Sequence, residues 1–301
     1  MIDVSARNDA LFDAGFISRL ERLQLLIQRI LRGKDHGLRK AHRMGSSLEF
    51  ADYRNYVPGD DIRNIDWNLY GRLDRLFIRL FEAEEDLHVH LLIDCSKSMH
   101  FGNDSMKFKM ELQLAAALSY IALSDLDHVC VYGFSGEALV DSGICRGKNQ
   151  FHRILKFLRT LGAGSEESNF EKSIRHFISQ GKKRGLVLVM SDFFGRSGYE
   201  DGLAMLRYQG FEVEVLHVLD KEELSPTLKG DIRLQEVEGL REIEITADRK
   251  LIEAYEKHVT EFVEGLQKFC RTRGMGYLQV LAEMDFEEII LQRLRKRRVL
   301  K

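Results

Sequence analysis

Three oxygen-bearing side chains at alternate positions, Asp94, Ser96 and Ser98, lie in the run LLIDCSKSM, residues 91–99. The apolar residues before Asp94 read as a buried strand, so the acid falls at a strand's carboxyl end. A second apolar run, LVLVMSDFF, also ends in an acid, Asp192. Ligands of open α/β sheets bind at strand carboxyl ends, where the strand order reverses. If the two strands are neighbours there, two carboxylates and two hydroxyls converge. Such a set suits a hard cation, because Mg2+ takes oxygen ligands and seldom draws all of them from protein. Two carboxylates balance the ion's charge, and the neutral hydroxyls leave it electrophilic enough to accept a carboxylate from another protein. Mg2+ or Mn2+ is the expected ion.

Rival chemistries on the same residues are weaker. Phosphatases of the haloacid dehalogenase type also place an aspartate after the first strand and use magnesium, which makes a magnesium-dependent phosphohydrolase built on Asp94 the main alternative. That reaction needs a general acid two residues on, where this chain has Ser96. No G-x-x-x-x-G-K-[ST] loop occurs, so nucleotide hydrolysis by the chain is not expected. Cys95 has no histidine in a helpful local pattern and reads as a packing residue. Asp60, Asp61 and Asp66, with Glu49 and Asp52, could form a two-metal nuclease site. Interleaved Arg54, Arg63, Arg72 and Arg75 favour salt-bridged pairing instead.

The elements that must position these groups follow from periodicity. Apolar residues at helical spacing over 16–31 predict a helix, and Gly33 to Gly45 is a basic, glycine-punctuated loop. Residues 48–82 are rich in Tyr, Asp and Arg, hold the single tryptophan, and turn strand-like at Leu76 to Phe81. Residues 1–86 are taken as an N-terminal module and 87–301 as an α/β domain. In that domain the pattern predicts strands at 87–93, 129–134, an edge strand at 138–144, then 186–190, 213–218 and 276–281. Helices are predicted at 106–123, 150–161, 170–180, 199–208, 249–271 and 286–295. Short β-branched strands alternating with helices imply a doubly wound, mostly parallel sheet covered on both faces. Alternating Ile232, Leu234, Val237, Ile243 and Ile245 suggest a β insertion at 221–247.

D-x-S-x-S after a first strand, with an acid after a later one, resembles the metal-ion-dependent adhesion site of von Willebrand factor A domains. The resemblance carries Asp94, Ser96 and Ser98 to the first loop and Asp192 to the third. In GAGSEESNFEKSI it carries the family's threonine position to Ser168, with Ser165 as a rival; Glu166 and Glu167 depart from the expected neutral loop. A narrower resemblance covers nearly the whole chain. E-F-x-D-x-R-x-Y and G-D-D-x-R-x-I-D-W, followed by the metal strand, are similar to the bacterial family known as domain of unknown function fifty-eight. That resemblance implies a MoxR-type AAA+ ATPase partner and a chaperone or maturation role on an unidentified client. Some members carry membrane helices, for which this chain shows no apolar run, so a soluble form is expected. Within 49–75, Tyr53, Tyr56, Ile62, Ile65 and Trp67 are read as apolar anchors of a salt-bridged platform. Asp60, Asp61, Arg63, Asp66 and Trp67 are its expected partner-binding residues. The whole is read as a non-enzymatic adaptor.

Bulk composition excludes other classes. Among 301 residues, 45 Lys and Arg face 47 Asp and Glu, a formal net charge of −2, so no field draws nucleic acid or an anionic membrane. Apolar runs fall short of the roughly 20 residues a membrane helix needs, and the start lacks a signal-peptide profile, so a cytoplasmic location without membrane insertion is expected. Cys95, Cys130, Cys145 and Cys270 form no C-x-x-C pair, which fits a reducing compartment.

Overall fold

The structure, a computed structural model, describes residues 10–32, 49–82, 87–100, 105–162, 169–195, 197–226, 230–235 and 242–299. Its contacts form two compact units: Leu26–Asp86, and a larger one of Met1–Leu25 with Leu87–Lys301. One edge of this division lies at Asp86. The other falls inside helix α1, Ala14–Arg32, so the first 25 residues group with the larger unit and not with a module of 1–86. The cause is local packing: the Phe16 ring lies 5.1 Å from that of Phe286, and Arg19 donates to Glu287 and Asp285.

In the small unit, β1 (Glu49–Asn55) pairs antiparallel with β2 (Phe77–Glu82), and the short helix α2 (Trp67–Leu73) lies between them in sequence. The larger unit runs β3 (His88–Asp94), α3 (Met106–Ser124), β4 (His128–Ser135), β5 (Ala138–Asp141), β6 (Cys145–Arg146), α4 (Phe151–Thr160) and α5 (Phe170–Ser179). It continues through β7 (Leu186–Ser191), α6 (Glu200–Tyr208), β8 (Glu212–Leu219) and the one-turn helix α7 (Lys221–Leu224). The hairpin β9 (Gly230–Gln235) and β10 (Glu242–Ala247), then α8 (Arg249–Thr272), β11 (Gly276–Leu281) and α9 (Phe286–Val299), complete it.

The main sheet has the order β11-β8-β7-β3-β4-β5, with β6 also on β4. Strands β11, β8, β7, β3 and β4 are parallel, while β5 and β6 are antiparallel. This is the doubly wound, mostly parallel sheet expected from the sequence. The edge strand expected over 138–144 ends at Asp141, and the two-residue strand β6 follows at Cys145–Arg146. Gly143, at φ 71, turns the chain there, and Asp141 accepts its N–H at 2.9 Å. The 221–247 insertion is a helix plus a hairpin, in which Ile232 faces Ile245 and Leu234 faces Ile243; Val237 lies outside the described residues.

Connections from β3 run toward β4, whereas those from β7 run toward β8. The strand order therefore reverses between β3 and β7, which pair in register from Val89↔Leu186 to Ile93↔Met190. The core that fixes this pairing includes Leu92, Tyr132, Phe177, Val189 and Phe211, all buried.

His90, on β3, is buried among Phe177, Phe211 and Tyr132. Its Nε2 lies 2.9 Å from the Lys183 carbonyl, which can only accept, so the neutral ring donates there. Burial, and then the charge of His88, lower its pKa to about 4 against an ordinary 6.5. The unfolded chain thus binds a proton that the folded chain refuses. His90's contribution to stability is complete above pH 6.5 and is lost as pH falls toward 4, by about 3 kcal/mol at 1.36 kcal/mol per pKa unit. Urea unfolding across this window should show the loss, and the His90 imidazole NMR shifts should stay those of a neutral ring at pH 5.5; a midpoint near 6.5 would refute the assignment.

Candidate metal centre

The two acids reach the crevice because β3 and β7 end side by side. Asp94 and Asp192 are buried, as are Ser96 and Ser191; Ser98 is half-buried. Asp94 Oδ1 accepts the Ser96 N–H at 2.8 Å, a turn that folds the loop back on its own acid, and Asp94 Oδ2 accepts from Ser191 Oγ at 2.6 Å. Ser96 Oγ and Ser98 Oγ lie 2.9 Å apart. After β7, Asp192 Oδ1 accepts from the Phe194 N–H at 3.2 Å. Phe193 between them has φ 56, a conformation that is costly for a bulky side chain, and its N–H donates to Ser191 Oγ at 2.9 Å. Gly133 on β4 lets the first loop approach: a Cβ there would stand 2.6 Å from Leu161 and 3.1 Å from Cys95 Sγ.

Residues that the sequence reading did not single out complete the site. Lys107, in the first turn of α3, is fully buried and donates to Asp192 Oδ2 at 2.9 Å and Glu223 Oε1 at 2.5 Å. Glu223 is fixed by a capping box at the start of α7. Behind Asp192, His217 Nε2 donates to the Asp192 carbonyl at 3.0 Å, so its Nδ1 accepts from Tyr277 Oη at 2.9 Å. Lys107 and Glu111 are spaced i,i+4, a pattern of exposed helix pairs. Only the signal of charges inside an otherwise apolar helix, MKFKMELQLAAALSYIALS, pointed inward.

The electrostatics are those of crowded acid. Burial, and then the charge of Asp192, raise the Asp94 carboxyl well above the ordinary carboxylate range. Burial pulls the Lys107 ammonium down, but Asp192 and Glu223 outweigh it and hold it above its usual value. Burial likewise raises Glu223. Burial, then Asp94 and Glu111, push the Cys95 thiol well up, which removes it as a nucleophile.

This donor set fits a hard divalent cation. Asp192 and Glu223 share one ammonium while Asp94 and Glu111 make no ion pair among the described residues, an excess of carboxyl groups that a cation would offset, and each hydrogen-bonded carboxylate oxygen retains a further lone pair. Among the described residues no group of three or more His, Cys, Asp or Glu is arranged to hold a metal; the set here is two carboxylates and two hydroxyls. Ser168, with its rival Ser165 and the acids Glu166 and Glu167, lies outside the described residues.

The expected platform differs from its reading. Asp66 caps α2, accepting from the Asn68 and Leu69 N–H groups at 3.0 Å, and Asp61 accepts from the Arg63 N–H at 3.0 Å. Among the described residues only Arg54–Asp60, at 2.7 Å, is a close ion pair of the kind expected there; Arg63–Asp61 stands at 4.0 Å, and Asp66 has Arg79, outside the expected set, at 3.9 Å. An aspartate reaches backbone two or three residues on more cheaply than it orders a long arginine. The Val57 N–H and then Arg54 hold Asp60 below its ordinary pKa, and the Leu69 N–H does so for Asp66. These acids are spent on turns, which disfavours a nuclease cage. Of the five expected anchors only Ile65 is buried; Ile62 and Trp67 are exposed, Trp67 by 64%.

A family model described as "Protein of unknown function DUF58" matches residues 52–264. The chain belongs to the DUF58 family. Among its relatives, the uncharacterized protein Rv1480 of Mycobacterium tuberculosis (strain ATCC 25618 / H37Rv) is 23% identical over 289 residues, 95% of this chain and 91% of that one. Among solved structures, the conserved hypothetical protein BatB from Bacteroides thetaiotaomicron aligns over 70% of this chain and 98% of its own, with TM-score 0.42 and 15% identity. Proximal thread matrix protein 1 from the mussel byssus, solved with a zinc-occupied MIDAS motif, aligns over 46% of this chain and 39% of its own, with TM-score 0.35 and 16% identity. In this DUF58 chain no described helix is long and apolar enough to cross a membrane.

Removing the ammonium tests the charge balance. Lys107→Met should destabilise the metal-free protein by about 3–5 kcal/mol, because Asp192 remains buried, and Glu223 half-buried, without their counter-charge. Urea unfolding in EDTA measures it, and a change below about 1 kcal/mol would contradict the pairing.

Proposed function

We propose that this chain is a non-enzymatic, divalent-metal-dependent protein-binding adaptor. Mg2+ or Mn2+ is held by Asp94, Ser96, Ser98 and Asp192, with Ser168 as a further ligand, and accepts a carboxylate from a protein client. The observation that carries this reading is the buried excess of carboxylates over the single Lys107 ammonium at the strand-order reversal, beside neutral hydroxyls. A metal with neutral co-ligands keeps enough charge to draw an outside carboxylate. A MoxR-type AAA+ ATPase is the proposed machine with which the adaptor works, in chaperone-like maturation or assembly of the client. Family membership and the two N-terminal motifs support that partner. Asp60, Asp61, Arg63, Asp66 and Trp67 are the proposed recognition residues, and the exposure of Arg63 and Trp67 suits contact with a partner. A cytoplasmic location is proposed with it.

The geometry disfavours the phosphohydrolase. Ser96, where the general acid would stand, is hydrogen-bonded to Ser98 and cannot protonate a leaving group at neutral pH.

Calorimetry should record Mg2+ or Mn2+ binding to the wild type and its loss in Asp94→Ala and Asp192→Ala. At 100 times its dissociation constant the ion should stabilise the fold by about 2.7 kcal/mol. Trp67→Ala should weaken capture of the ATPase at unchanged metal affinity. Unaltered metal affinity in both aspartate variants would sink the site. Magnesium-dependent phosphate-ester turnover abolished by Asp94→Asn would replace the adaptor reading with the hydrolase.

A further inference from the structure

Glu111 stands apart from the other acids of the crevice. It lies one helical turn after Lys107 on α3 and has no solvent exposure, yet among the described residues neither of its carboxylate oxygens has a hydrogen-bond partner. An unpartnered buried carboxylate is expensive, and native structures hold few such groups without a purpose. Its helical neighbour does not relieve it, because the Lys107 ammonium is directed to Asp192 and Glu223. The charges bearing on Glu111 are Asp94 first, then Asp192, both of its own sign, with Lys107 opposing them. A helix whose inward positions are otherwise filled by Leu112, Leu114, Ala115 and Ala116 thus buries one acid a turn after Lys107, on the face from which Lys107 reaches Asp192.

A hydrated divalent cation would supply what Glu111 lacks. Mg2+ sheds its water reluctantly and usually keeps several molecules, each a strong donor when polarised by the ion. Resting on the metal reading above, we propose that Glu111 is a further acidic residue of the cation site, accepting hydrogen bonds from water carried by the ion bound at Asp94 and Asp192. In this role Glu111 adds negative potential beneath the site and orients the ion's water from the helix side, as outer-shell partners do in metal proteins. It also gives the site an element the loops lack, since α3 is rigid and packed on the sheet.

The test compares wild type, Asp94→Ala and Glu111→Gln for Mg2+ and Mn2+ by calorimetry, with Mn2+ EPR as a second readout and a thermal melt in EDTA to confirm folding. Glu111→Gln keeps the shape and should bind either ion at least about tenfold more weakly, within the 10–100-fold range of outer-shell losses. Glu111→Asp, which restores the carboxylate, should recover part of the affinity. Should Glu111→Gln fail to fold, Glu111→Met has similar volume without a hydrogen-bonding demand and carries the same comparison. Glu111→Gln within twofold of wild type, while Asp94→Ala has lost the ion, overturns this inference alone. Wild-type protein that takes up neither ion overturns the metal reading and this inference with it.

Discussion

One ammonium outnumbered by carboxylates governs the carboxyl edge of the sheet. Lys107 is buried from its backbone to its charged end and holds Asp192 to Glu223, yet among the described residues Asp94 and Glu111 have no cation of their own. Burying like charges is unfavourable, and the raised pKa of Asp94 records it. Such a cluster persists only where the surrounding structure over-determines it. Here the surroundings are a five-strand parallel core and a helix buried nearly all round.

The rest of the site follows from holding that cluster in place. The Asp94–Ser96 turn and the Ser191–Asp94 hydrogen bond join the two strand ends through side chains where the ladder stops. Phe193 accepts a left-handed backbone, and its ring is rewarded by packing on Phe170, Tyr199 and His217. His217 stays neutral in this setting and anchors the Asp192 backbone to Tyr277 on the neighbouring edge strand. Each device spends stability to keep oxygen atoms at one place, which is the usual signature of a functional site and not of a packing optimum.

The small unit solves a different problem. Its acids terminate turns and cap a seven-residue helix, and that leaves its large apolar side chains largely at the surface. Exposed pairs such as Arg63–Asp61 contribute little. Order there comes from the β1–β2 pairing and from backbone caps, a frame that displays side chains instead of burying them.

The doubly wound sheet, nearly all of its strands and helices, and the convergence of Asp94, Ser96 and Asp192 were legible in the sequence. Continuous apolar runs ending in acids carry that information locally, and the reversal of strand order at the site follows from the fold class. The sequence could not show that Lys107 and Glu111 point inward, because an i,i+4 Lys and Glu on a helix normally face water. Nor could it show that Asp61 and Asp66 prefer backbone to arginine, a competition settled by a few ångströms. Ser191, Glu223 and His217 join the site from separate segments, at distances set by how strands and helices pack. Residue types and spacings determined which chemistry is available; the tertiary structure decided which charges are buried together, since burial belongs to the packed assembly and not to any one segment.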